Sequence, residues 1–133
     1  MKTIALVAHD KKKHDMVEWV GRRLVLLRNH AFFATGTTGG QLLEAYPMLK
    51  LTRLKSGPLG GDQQIGALIA EDRIDLMIFF TDPLSAQPHD VDVKALTRLA
   101  TLYNVPFACN PATADLLITS PLFSEPRRPR EDN

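Results

Sequence analysis

Short apolar runs alternate along the chain with stretches whose apolar positions recur every three or four residues. Residues 3–8 (TIALVA), 31–34 (AFFA), 49–54 (LKLTRL), 74–80 (IDLMIFF) and 106–109 (PFAC) form the runs. Several are nearly continuous rather than alternating, as in strands covered on both faces. Between the first two, Met16, Val17, Val20, Leu24 and Leu27 mark the buried stripe of a helix. Lys12, Lys13, Glu18, Arg22 and Arg23 occupy its other faces, and Asp10 suits its N-cap. Residues 41–46 predict a second helix, ended by Pro47, and residues 62–72 a third, with Ile65, Leu68 and Ile69 inward. Residues 92–104 predict a fourth through Val93, Leu96, Ala100 and Tyr103; Pro111 suits the first turn of a fifth that reaches residue 117 or 118.

Strict alternation of strand and helix, with strands unsuited to facing water, predicts an α/β fold. Its form is a single-domain, open parallel sheet of about five strands, Rossmann-like and doubly wound, with helices on both faces and right-handed crossovers. The domain is expected over residues 1–123. Residues 124–133 (SEPRRPREDN) lack periodicity and predict a mobile tail.

Composition narrows the partners. The 133 residues are 44% apolar and 23% charged, with a formal net charge of +1. That balance supplies none of the surplus positive charge that draws proteins onto nucleic acid or anionic membranes, so neither partner is expected. Cys109 is the single cysteine, which excludes an internal disulfide and fits a reducing compartment. The opening apolar run stops at His9-Asp10, too early for a signal peptide, and no run approaches the roughly 20 residues that span a bilayer. A soluble, cytoplasmic protein is expected.

In open parallel sheets, ligands sit beyond the carboxyl ends of the strands, where crossovers diverge and helix N-termini point inward. Polar residues gather at those ends: His9 and Asp10 after the first strand, TGTTGG at 35–40 after the second, Ser56-Gly57-Pro58 after the third. Asp62 opens the following helix, Thr81-Asp82-Pro83 and His89-Asp90-Val91-Asp92 follow the fourth strand, and Asn110 follows the fifth. Caps and turns also select Gly, Ser, Thr, Asp and Asn. Capping alone does not ask for two histidines and several carboxylates at one rim.

The segment ATGTTGG at 34–40 reads as a glycine-rich anion cradle, its N–H groups and three hydroxyls suited to a phosphate. It lacks both the dinucleotide fingerprint and the Gly-Lys-Ser/Thr of a P-loop, which favours a small phosphorylated ligand. Lys13 is available as a cation, although it and its lysine neighbours also suit a solvated face. Asp62 is either a dipole-stabilising first-turn acid or a proton acceptor held over the ligand. His9 and His14 lie off a common helix face and lack a third ligand, so no metal site is expected.

Six blocks in order then carry a resemblance: VAHD at 7–10, ATGTTG at 34–39, SGPLGGDQQIGA at 56–67, FFTDPL at 79–84, PHDVDVKAL at 88–96 and NPATAD at 110–115. Over residues 4–123 the chain resembles the methylglyoxal synthase family. The resemblance implies conversion of dihydroxyacetone phosphate to methylglyoxal and inorganic phosphate, without metal or organic cofactor, in a homohexamer. Phosphate is then a product and a candidate inhibitor. By resemblance Asp62 is the catalytic base, His89 polarises the carbonyl, His9 is a second site histidine, and Asp10 and Asp92 orient these groups. Lys13, Thr35, Gly36, Thr37, Thr38, Ser56 and Gly57 correspond to positions that hold phosphate and substrate oxygens, and Asp82 to a site aspartate of open role. The family often places an arginine near its C-terminus in the phosphate site; Arg127, Arg128 and Arg130 lie in a tail that does not match that segment, and none of them is carried over. The alternative is a non-catalytic regulatory domain of the same fold that binds a phosphorylated effector. That module needs the cradle but not the base.

Overall fold

A computed structural model describes residues 1–85 and 90–126, with the side chains of 90–92 excluded. Five strands form one parallel sheet in the order β3-β2-β1-β4-β5: β1 Thr3–Ala8, β2 Ala31–Ala34, β3 Lys50–Arg53, β4 Leu76–Phe80 and β5 Phe107–Ala108. The helices are α1 Lys13–Arg22, α2 Leu24–Leu27, α3 Gly36–Ala45, α4 Gly61–Ala70, α5 Asp90–Leu102 and α6 Pro111–Thr119.

Successive residues of β1 feed opposite faces, as the two-residue period of a strand requires. Ile4, Leu6 and Ala8 pack with Met16, Trp19, Leu42 and Ile118 under α1, α3 and α6. Ala5 and Val7 pack with Ile65, Leu68, Ile69 and Leu96 under α4 and α5. All five residues of β4 are buried, which explains its unbroken apolar run. The edge strand β3 differs, since Lys50, Thr52 and Arg53 are exposed. An edge tolerates such residues, and they guard it against pairing with another chain.

Several element ends depart from the sequence reading. The first helix divides at Arg23 into α1 and α2, where Arg23 leaves the helical region with φ −106° and ψ 15°; the Tyr46 hydroxyl donates to the Val17 carbonyl at 2.7 Å. Asp10 does not cap α1; it opens a 3-10 turn, Asp10–Lys12, and its carboxylate accepts from the Lys13 ammonium. The helices expected to reach Asp72 and Asn104 stop at Ala70 and Leu102. Asp72 and Asn104 take left-handed backbone angles, and the N–H groups of Arg73 and Val105 reach back to the carbonyls of Leu68 and Ala100.

Asn110 caps α6 by accepting from the Thr113 N–H at 2.9 Å, with Pro111 in the first turn. Asp115, on α6, accepts from both the Trp19 indole and Arg23, each at 2.8 Å, which ties α6 to α1. The Arg23 guanidinium holds that carboxyl below the usual range. Ser124 ends a 3-10 turn, Pro121–Ser124, and the Lys2 ammonium donates to the Glu125 carbonyl, so the beginning of the expected tail is held by hydrogen bonds. Arg127, Arg128 and Arg130 lie outside the described residues. Among the described residues no helix is long and apolar enough to cross a membrane.

Candidate functional site

The strand order reverses between β1 and β4, and the crevice beyond their carboxyl ends is where an open α/β sheet takes its ligand. His9 and Asp82 stand there. The His9 N–H donates to the Phe80 carbonyl at 3.1 Å, and the Asp82 N–H donates to His9 Nδ1 at 2.8 Å. His9 is 6% exposed, with its ring edge-on to Phe79 at 5.1 Å between centroids. Hydrogen bonds from Ser85 and the Leu84 N–H hold the Asp82 carboxyl below the usual range against an opposing effect of burial, aided by Lys11 and Lys12.

Beside β1, β2 runs into the N-terminus of α3. Residues 34–40 therefore join a strand end to the first turns of a helix, which starts at Gly36 rather than at the expected residue 41. Their glycines serve close packing. A side chain on Gly36 would lie 2.7 Å from the Ser56 nitrogen, and one on Gly40 about 3.1 Å from the Arg53 guanidinium carbon. Arg53 also donates to the Gly36 carbonyl at 2.6 Å. Thr37 and Thr38 occupy first-turn positions whose N–H groups have no intrahelical acceptor, which preserves the anion-accepting character of the segment. Thr35 and Thr38 are buried, and the Thr38 hydroxyl has no hydrogen-bond partner among the described residues.

The segment after β3 links this turn to α4. The Gly36 N–H donates to the Lys55 carbonyl at 3.1 Å, and Ser56 packs on Gly36. Gly60 has φ +107°, a left-handed angle that turns the chain into α4. Gly61 then lies against the Lys55 carbonyl too closely for any side chain. The result is that Asp62, in the first turn of α4, is 2% exposed and packs against Gly57.

The structure thus brings together His9 with Asp82, Gly36 with Ser56, Gly57 with Asp62, and Lys13 with Asp10. Asp10 stands apart from the buried set, its side chain 93% exposed in its pairing with Lys13. Those two residues line a cavity of about 700 Å³ between α1 and α3, with Gln41 and Glu44 opposite. Asp62 lines a separate cavity of about 340 Å³ between α4 and α5. His89 lies outside the described residues, and of Asp92 only the backbone, in α5, is described. Among the described residues no group of three or more His, Cys, Asp or Glu side chains is arranged to hold a metal ion. Sequence reasoning missed Arg53 and Ser85. Arg53 carries no motif, whereas the Asp-Pro opening of the turn before Ser85 is a readable turn signal.

The fold and this rim define a doubly wound α/β protein with a polar ligand crevice at its topological switch point. The MGS-like domain family model matches residues 15–109. Methylglyoxal synthase of Rhizobium rhizogenes is 63% identical over 117 residues, 88% of this chain and 93% of that protein. Methylglyoxal synthase of Pseudoalteromonas atlantica is 61% identical over 124 residues, 93% of this chain and 91% of that one. A crystal structure of methylglyoxal synthase from Elizabethkingia anophelis matches with a TM-score of 0.88 at 52% identity, covering 98% of this chain and 84% of that chain. The chain belongs to the methylglyoxal synthase family.

Proposed function

We propose that the chain converts dihydroxyacetone phosphate to methylglyoxal and inorganic phosphate, a carbon–oxygen lyase reaction through an enediolate. The observation that carries the reading is Asp62, a carboxylate 2% exposed at the start of α4 and packed against Gly57. The neighbouring connection to α3, through Gly36 and Ser56, supports a shared site for the substrate's phosphate. Relatives named methylglyoxal synthase support the same chemistry.

In this reading Asp62 takes a proton from the carbon next to the carbonyl. A carboxylate is a weak base for that proton, so the enediolate oxygens must be stabilised as charge develops; one well-placed donor is worth about 3 kcal/mol. His89 polarises the carbonyl, His9 donates from the switch point, and Asp92 orients them, while Asp10 pairs with Lys13. Asp82 lines the site through its contact with His9. The first-turn N–H groups of α3, with Lys13, Thr35, Gly36, Thr37, Thr38, Ser56 and Gly57, hold the phosphate, whose charge the helix dipole favours.

Elimination needs the C–O bond to phosphate perpendicular to the enediolate plane. There its antibonding orbital overlaps the π system, the electron pair leaves with phosphate, and the resulting enol tautomerises to methylglyoxal. The threonine-rich turn holds that rotamer; an in-plane bond would retain the phosphate and favour isomerisation. The reading includes a homohexamer, a cytoplasmic location, phosphate as a product inhibitor, and no metal or organic cofactor.

The test is incubation of the purified protein with dihydroxyacetone phosphate, following phosphate release and a dicarbonyl-trapping reagent together. Equal yields of the two are expected. Binding without turnover overturns the enzyme reading in favour of an effector-binding domain, and an excess of the isomerised triose phosphate overturns the rotamer argument.

A further inference from the structure

The turn after β4 meets His9, the residue that follows β1. Asp82, 7% exposed, keeps its carboxylate inside that turn: Oδ1 accepts the Leu84 N–H at 3.2 Å, and the Ser85 hydroxyl donates to the same carboxylate. These bonds restrain the backbone at Asp82, whose own N–H donates to His9 Nδ1 at 2.8 Å. A ring nitrogen that accepts an N–H carries no proton, which leaves the proton of a neutral ring on Nε2. Either the other tautomer or the imidazolium would set two N–H donors against each other at that contact. Phe79, edge-on to the ring, and the His9 N–H bond to the Phe80 carbonyl keep the imidazole from turning away.

We propose that Ser85 is a positioning residue: through the Asp82 turn it holds His9 as the neutral tautomer protonated on Nε2, the form that donates a hydrogen bond to a substrate oxygen. This deepens the proposed function and rests on it for the identity of the substrate. Ser85 acts through Asp82 and His9, and touches no reacting atom itself. The arrangement also gives Asp82 a task that needs no contact with substrate, namely presenting its backbone N–H.

The side-chain nitrogen shifts of His9, measured by NMR at neutral pH and assigned by their loss in His9→Asn, test the tautomer directly. In the native protein Nδ1 is expected in the unprotonated range and Nε2 in the protonated range. Ser85 is half-buried at the surface, so Ser85→Ala is expected to fold. In that variant the two shifts move toward each other, and kcat on dihydroxyacetone phosphate falls about tenfold at unchanged KM, the size of one hydrogen bond to a charged group. Ser85→Thr, which keeps the hydroxyl, restores both. A native His9 protonated on Nδ1, or Ser85→Ala with native shifts, overturns the proposal; so does an altered tautomer with undiminished turnover. A native protein inert toward dihydroxyacetone phosphate removes the functional reading, while the shifts still decide the tautomer.

Discussion

A methyl group placed on Gly57 would lie 3.3 Å from the nearer carboxylate oxygen of Asp62. That separation is tight enough to push the carboxylate by a few tenths of an ångström. Gly57→Ala is therefore expected to leave the fold in place and reduce kcat by about tenfold, because small misplacements of a reacting group weaken its geometry steeply. Steady-state phosphate release at saturating dihydroxyacetone phosphate measures it. Unchanged turnover would mean that the Asp62 carboxylate is not held for chemistry.

Asp62→Asn keeps the size of the side chain and removes its basicity. Turnover is expected to fall by about 10²–10⁴, the usual contribution of a positioned base. Thermal melting by circular dichroism should show a cooperative transition close to the native one. A variant that retains its shape and its activity would exclude Asp62 as the base.

Gly36→Ala places its methyl 2.7 Å from the Ser56 nitrogen and 2.8 Å from the Ser56 Cα. Backbone atoms cannot swing aside as the end of a flexible side chain does. Overpacking of this kind destabilises by about 1–3 kcal/mol, so Tm should fall by several degrees. Phosphate affinity should weaken in parallel, since the same contact joins the start of α3 to the segment before Asp62. Scanning calorimetry with and without inorganic phosphate reads both.

His30 predicts a pH dependence of stability. The Lys2 N–H donates to its Nδ1 at 2.9 Å; burial first, then the positive N-terminus and Lys2, lower its pKa in the folded state. The unfolded chain therefore binds the proton more readily. The stabilisation from neutral His30 is complete above the unfolded value of about 6.5 and declines as pH falls from there toward the folded value. Native Tm should drop between pH 7.5 and pH 5.5, and His30→Gln should shrink that drop. An identical drop in the variant would assign it to other groups.

Much of the architecture is legible in the order of apolar runs. The limits of β1 and β2 coincide with their apolar runs: β1 is buried from Ile4 to Ala8, and β2 buries Phe32 and Ala34 while Ala31 and Phe33 are half-buried. Helix ends are less legible. The break at Arg23 lies in that residue's own backbone angles, and the stops of α4 and α5 depend on left-handed residues; the helical period reveals neither. The segment after β2 shows how one composition serves two roles. Its glycines suit an anion cradle, and they also face Ser56 and Arg53 as the packed side of a helix.

By itself the sequence determined the class of the fold, the edge of the sheet where the chemistry collects, and the family. These follow from periodicity and from motifs that are local in the chain. Only the tertiary structure decided which of those residues are partners. The contact of Asp82 with His9 spans 73 residues and exists because β1 and β4 are adjacent. The burial of Asp62 arises because α3 and the segment after β3 close over their glycines. Adjacency in a parallel sheet is set by crossovers, and no run of neighbouring residues encodes it.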